Sequence, residues 1–186
     1  MISLIHIDRQ FQSIKSEISA ALERILTRGQ FIIGQEVNQF EREASDYLQV
    51  PYAIGVGNGT DALVLALEAL NIGKGDEVIT TPFTFFATSE AISRVGAKPV
   101  FADIDPKTYN LDPIAIEAKI TSKTKAILPV HLFGQPCAME HVMELAREHQ
   151  LYVIEDACQA FGAEVNGVKA GSLGDIGCFS FFPTKI

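Results

Sequence analysis

From residue 51 onward, short hydrophobic runs alternate with stretches of helical period. The runs fall at 52–56, 77–81, 98–102, 126–130, 152–154 and 176–182, with helical patterns at 60–70, 89–95, 113–120 and 139–149. Continuous apolar strands alternating with helices predict an α/β fold: a mostly parallel sheet with helices on both faces. Asp112-Pro113 reads as a cap followed by proline at the first helical position. Asn166-Gly167, between Glu164-Val165 and Val168-Lys169, reads as a two-residue hairpin turn. Before residue 51 the period is helical only. Asp8 is placed to cap a helix with Phe11, Ile14, Ile18, Leu22 and Ile25 on one face. Gly29 and Gly34 bracket a tight stretch, and a second helix carries Val37, Phe40, Ala44, Tyr47 and Leu48 before Pro51 ends it. The expected organisation is therefore an N-terminal helical arm over 1–50, suited to embracing a second subunit, and an α/β domain over 51–186.

Composition narrows the partners. The chain of 186 residues, 47% hydrophobic and 20% charged, describes an ordinary soluble globular protein. A net charge of −8 argues against nucleic acid or an anionic membrane as partner. Cys137, Cys158 and Cys178 are odd in number and form no CxxC pair, so reduced thiols in a cytoplasmic protein are expected, without a zinc site. The first residues lack a basic segment followed by a long apolar run, and no run reaches the ~18 residues of a membrane span. Neither a signal peptide nor a membrane anchor is expected.

The candidate chemistry gathers at the carboxyl ends of the predicted strands, the edge where open α/β sheets bind ligands. Gly55-Val56-Gly57-Asn58-Gly59-Thr60-Asp61 joins the first predicted strand to an apolar helix. Glycines there let backbone approach a ligand, and the helix start offers unpaired N–H groups to an anion. A dinucleotide fingerprint would place glycine where Thr60 stands, and a Walker loop would need a lysine that is absent. The loop suits one compact phosphate held by Gly59 and Thr60; it is equally readable as a glycine turn with Thr60 as a plain cap. Asp156, after the buried run ending at Ile154, would either cap something or hold a proton on a heterocyclic nitrogen, with Gln159 in reach. Phe85 would stack on a flat ring or belong to the core. Ser180 could add a phosphate hydrogen bond. Lys185 follows Pro183, which ends the last strand, and is either a surface lysine or an amine that attacks an aldehyde.

Together these form the set that pyridoxal 5′-phosphate (PLP) needs: a lysine for its aldehyde, a carboxylate for its ring nitrogen and a phosphate site. An NAD-dependent oxidoreductase fits the α/β pattern but fails at Thr60 and leaves Lys185 idle.

The stretches 58–63, 84–88, 129–134, 155–160 and 179–185 resemble the DegT/DnrJ/EryC1/StrS sugar aminotransferase family in order and spacing along nearly the whole chain. That resemblance implies the type I PLP-dependent transferase fold, a homodimer, and transfer of an amino group from an amino acid, commonly L-glutamate, to a nucleotide-linked keto-sugar. Such a reaction belongs to amino-sugar, surface polysaccharide or antibiotic-sugar biosynthesis. By the same resemblance Lys185 would attach the cofactor and Asp156 would pair with its ring nitrogen. Gln159 would lie near its 3-hydroxyl, Gly59, Thr60 and Ser180 would hold its phosphate, and Phe85 would stack on its ring. Lys185 separates the chain from a dehydratase branch that has histidine there. Family members run to roughly twice this length, with a last strand of the large sheet and a small C-terminal domain after the lysine. A catalytically silent fragment that only dimerises or binds cofactor weakly is the alternative.

Overall fold

A computed structural model describes residues 6–185. Its contacts divide the chain into two compact units, Met1–Gly55 and Val56–Ile186. The division falls five residues beyond the boundary expected at 50/51.

The first unit holds two helices, α1 (Ile7–Arg28) and α2 (Gln35–Leu48). Asp8, expected as the cap of α1, lies inside its first turn; His6 occupies the cap position and makes no side-chain cap bond. Gly29 closes α1 in the left-handed region (φ 68°), its N–H reaching Ile25 O at 2.9 Å. No residue of α1 is buried, whereas α2 buries Ala44 and Leu48. The α2 helix stops at Gln49 (φ 56°), before Pro51. The predicted strand at 52–56 is not formed. Tyr52 and Ile54 are 84% and 80% exposed, and no strand among the described residues pairs with this segment. An apolar run becomes a strand only through a partner, and this one is held instead by the Gly55 N–H donating to Glu41 Oε1 at 2.7 Å.

The second unit is built on a five-stranded sheet. Its strands are β1 (Glu77–Thr80), β2 (Lys98–Phe101), β3 (Thr124–Ile127), β4 (Tyr152–Asp156) and β7 (Ile176–Cys178), in the order β2-β1-β3-β4-β7 and all parallel. Between β4 and β7 lies the hairpin β5 (Glu164–Val165) and β6 (Val168–Lys169), turned by Asn166 (φ 52°) and Gly167 (φ 81°) as the Asn-Gly signal implies.

Strand alternation explains the two covered faces. Val78, Ala126, Leu128, Ile154 and Cys178 pack into one core with α3 (Gly59–Ala69) and α4 (Ala87–Arg94). Their neighbours Ile79, Ile127 and Val153 point the other way, into a core with α5 (Pro113–Glu117) and α6 (Met139–His149). Each large apolar side chain withdrawn from water contributes about 1.5–3 kcal/mol, so strands with both faces buried are mainly apolar. The fold is thus the α/β class expected. The last predicted strand, 176–182, is shorter than its apolar run: it ends at Cys178, and Phe181 and Phe182 are exposed.

Candidate active site

Because the strands are parallel, β1, β4 and β7 present their carboxyl ends together. Phe85, Asp156, Gln159, Ser180 and Lys185 lie at these ends or on the segments that leave them. Gly59 and Thr60 come from the start of α3, which follows no strand among the described residues. Gly59 starts α3. The Asn58 side chain caps this helix, its Oδ1 accepting from Asp61 N–H at 2.9 Å and its Nδ2 donating to Asp61 Oδ2 at 2.8 Å. That cap uses the third amide of the helix, and Ala62 N–H bonds to Asn58 O. Helix geometry leaves the N–H groups of Gly59 and Thr60 with no acceptor inside α3. A Cβ on Gly59 would lie 2.9 Å from Cys158 Sγ and 3.0 Å from Ser180 Cβ. The helix start therefore packs directly on the segments after β4 and β7, and glycine is required by that approach rather than by a turn.

Asp156 is the last residue of β4 and is 6% exposed. Its Oδ2 accepts from the Thr88 hydroxyl at 2.8 Å, and its Oδ1 from Cys158 N–H at 3.2 Å. Thr88 is fully buried and lies 3.0 Å from Thr84 Oγ1 and 3.2 Å from Phe85 O. With one hydrogen to give, Thr88 donates it to the charged carboxylate, the stronger acceptor, and accepts from Thr84. Phe85 itself is exposed, and Lys185 Nζ stands 6.0 Å from its ring centroid.

Lys185 lines a small cavity with Cys158, Gln159, Phe161, Ser180 and Phe181. Its backbone turns on Pro183, with Lys185 N–H donating to Phe182 O at 2.7 Å. Gln159 is oriented by Phe133, whose N–H donates to Gln159 Oε1 at 2.8 Å, so its amide NH2 is the end left for another acceptor. Cys158 sits in the middle of the group. Burial, then the nearby negative charge of Asp156, push its thiol well above its ordinary value, while the Lys185 charge opposes them. Cys137 and Cys178 are each pushed up to about 12, chiefly by burial. All three are free thiols. Among the described residues no group of His, Cys, Asp and Glu is arranged to hold a metal.

Six of the seven predicted residues are thus tied to one another through direct packing or shared neighbours, and Thr60 follows in the same helix turn. What the sequence reading missed is what holds Asp156. Thr88 was visible in the motif 84–88 without a role, and its 68-residue separation from Asp156 hides the pairing. Glu155 stands in the same motif as Asp156 with no role of its own in the sequence, yet it is fully buried and must be compensated. His131, which compensates it, was likewise only part of a motif.

The sheet and its ligand-facing edge have the architecture of the type I PLP-dependent transferases. The chain belongs to the DegT/DnrJ/EryC1/StrS aminotransferase family, whose model matches residues 12–186. It is 49% identical over 184 residues to a pleiotropic regulatory protein of Geobacillus stearothermophilus, a match covering 99% of this chain and 50% of that one. The same identity and coverage hold for a UDP-N-acetyl-3-dehydro-α-D-glucosamine 3-aminotransferase of Acidithiobacillus ferrooxidans. A solved family aminotransferase from Brucella abortus superposes with a TM-score of 0.97 at 37% identity, covering 100% of this chain and 52% of that one. The PLP form of a putative sugar aminotransferase from Streptococcus pneumoniae superposes with a TM-score of 0.88 at 31% identity, covering 92% and 47%. The chain therefore spans about half the length of the curated relatives it matches.

Proposed function

We propose that this chain carries the cofactor-binding half of a PLP-dependent aminotransferase that moves an amino group from an amino acid, L-glutamate by preference, to a nucleotide-linked keto-sugar. The observation that carries the reading is the packing of the α3 start and Ser180 around Cys158, with Lys185 lining the same small cavity. The residues fit the group. The Gly59 approach leaves backbone N–H groups and a hydroxyl side by side for a phosphate, and Asp156 supplies an anion already fixed in place. The Acidithiobacillus relative's name supports the nucleotide-sugar class of substrate.

Bound there, PLP supplies an aldehyde and an electron-withdrawing ring. Gly59 and Thr60 donate backbone hydrogens to its phosphate, and Ser180 donates its hydroxyl. Asp156, clamped by Thr88 and the Cys158 N–H, keeps a proton on the ring nitrogen. Phe85 would lie against one face of the ring. Lys185 would hold the cofactor's aldehyde through its amine and, when that amine is free, would take and return a proton as general base. Gln159 turns its NH2 toward the 3-hydroxyl. The active assembly is a cytoplasmic homodimer, a reading supported by the exposed apolar side chains Phe83, Phe86 and Phe101; sedimentation at the monomer mass alone would remove it.

Titrating PLP into the protein should give a saturable visible absorption band, and borohydride should fix the cofactor's mass on Lys185. Lys185→Ala should keep the far-UV circular dichroism and lose the band. A band of undiminished intensity in Lys185→Ala would refute the assignment. The second reading is a silent half-protein, favoured by a coverage of only 50% of the relatives. It predicts no saturable band from the 186-residue chain, with one appearing when the remainder of a full-length protein is present.

A further inference from the structure

Glu155 neighbours Asp156 on β4, points to the opposite face, is fully buried, and takes no part in the chemistry above. Its carboxylate has four hydrogen-bonding partners. Oε1 accepts from Leu173 N–H at 2.7 Å and Gly174 N–H at 2.6 Å. Oε2 accepts from Gly171 N–H at 2.7 Å and is 2.7 Å from His131 Nε2. His131 Nδ1 accepts from Cys137 N–H at 3.1 Å, which places the ring hydrogen on Nε2 and makes it the fourth donor. Four donors and no acceptor meet Glu155, so the position is built for a carboxylate without a proton.

These donors belong to the segments that build the site. Residues 171–174 lead into β7, whose register sets Ile176, Gly177 and Cys178 opposite Ile154, Glu155 and Asp156. Ser180 and Lys185 follow from there. His131 N–H donates to Asp156 O at 3.0 Å, and Asp156 N–H to Pro129 O at 2.9 Å. Two residues after His131, Phe133 orients Gln159. One buried charge therefore joins the strand of Asp156, the approach to Ser180 and Lys185, and the loop that aims Gln159.

We infer that Glu155 is a positioning residue for the cofactor site, fixing where Asp156, Ser180 and Lys185 stand relative to one another. The inference rests on the reading of that site as a PLP site. Hydrophobic side chains could fill the same space, and at least as stably, because a buried charge must first be desolvated. What an apolar filling could not do is tie three separate backbone segments to a single point.

The test is Glu155→Gln in the full-length protein. The amide keeps the shape but turns an NH2 toward two of the four donors, so two bonds are lost and their donors left buried. PLP affinity should fall by roughly tenfold or more, and the visible band of the bound cofactor should shift. Val142→Ala, which thins the buried core on α6 without removing any of the four donors to Glu155, should lower the unfolding midpoint while leaving affinity and band unchanged. Wild-type affinity and spectrum in Glu155→Gln would overturn the inference, as would an equal change in Val142→Ala. If Glu155→Gln does not fold, His131→Asn removes one donor of four and should give a smaller shift of the same kind; its absence would overturn the idea equally. A wild-type protein with no band would sink the reading of the site, not the tie. Amide exchange at Gly171, Leu173 and Gly174 then decides: faster exchange in the His131 or Glu155 variant upholds the tie, and unchanged protection ends it.

Discussion

A threonine hydroxyl has one hydrogen to give, and at Thr88 that hydrogen decides how Asp156 is held. The carboxylate lies at 6% exposure, where water cannot replace a lost donor. Thr88→Val keeps the shape and removes the donor. The expected cost is about 1–3 kcal/mol of stability, the penalty for leaving a buried polar group short of a partner. Urea denaturation should show it as a lower midpoint with unchanged slope, and Thr88→Ser should recover most of it. An unchanged midpoint in Thr88→Val would mean that the Cys158 N–H suffices. Lys185, Asp156 and the glycine turn are each ambiguous alone. They are picked from the sequence only because together, at one edge of the predicted sheet, they form the set a PLP site needs. Thr88 and Glu155 could not be picked, because nothing local distinguishes a buried hydroxyl or carboxylate from a solvated one; only the partners far along the chain do.

Among the elements, legibility follows the hydrophobic period: even α1, which buries no residue, is read from it. The α6 helix has the bounds 139–149 that its apolar period predicts, and Gln150 in the left-handed region ends it. The alternating strands were placed to within a few residues for the same reason. The 52–56 run misled because apolar composition reports a tendency to be covered, not the presence of a cover. Helix α3 shows a case where local chemistry does decide. The Asn58 side chain fixes its first turn and with it the direction of the free Gly59 and Thr60 amides. Asn58→Ala should cost about 0.5–2 kcal/mol in chemical denaturation and weaken inorganic phosphate competition against PLP. If stability and competition both stay at wild-type levels, the cap does not organise that helix start.

For the molecule as a whole, the buried charge at Glu155 ties stability to pH. Burial alone would raise its carboxyl, but the hydrogen bonds from His131, Gly174 and Gly171 outweigh burial and hold it below the ordinary value of 4.5. In the unfolded chain the group binds a proton near that ordinary value. Between the two values the unfolded state carries more protons, so stability rises with pH. The contribution should be complete above about pH 5–6 and drain away as acid takes the group through its lower folded value. Urea midpoints measured from neutral to about pH 3 should fall, and Glu155→Gln should flatten the dependence. A wild-type profile as flat as the variant's would contradict this account.

The ladder that pairs β4 with β7 sets Asp156 against Cys178, and seven positions of chain later comes Lys185. That span acts as a ruler. Adding or deleting a single position along it would carry the amine off its mark or turn Ser180 away from the helix start. In this segment, then, the count of residues matters as much as the identity of the two that end up at the site.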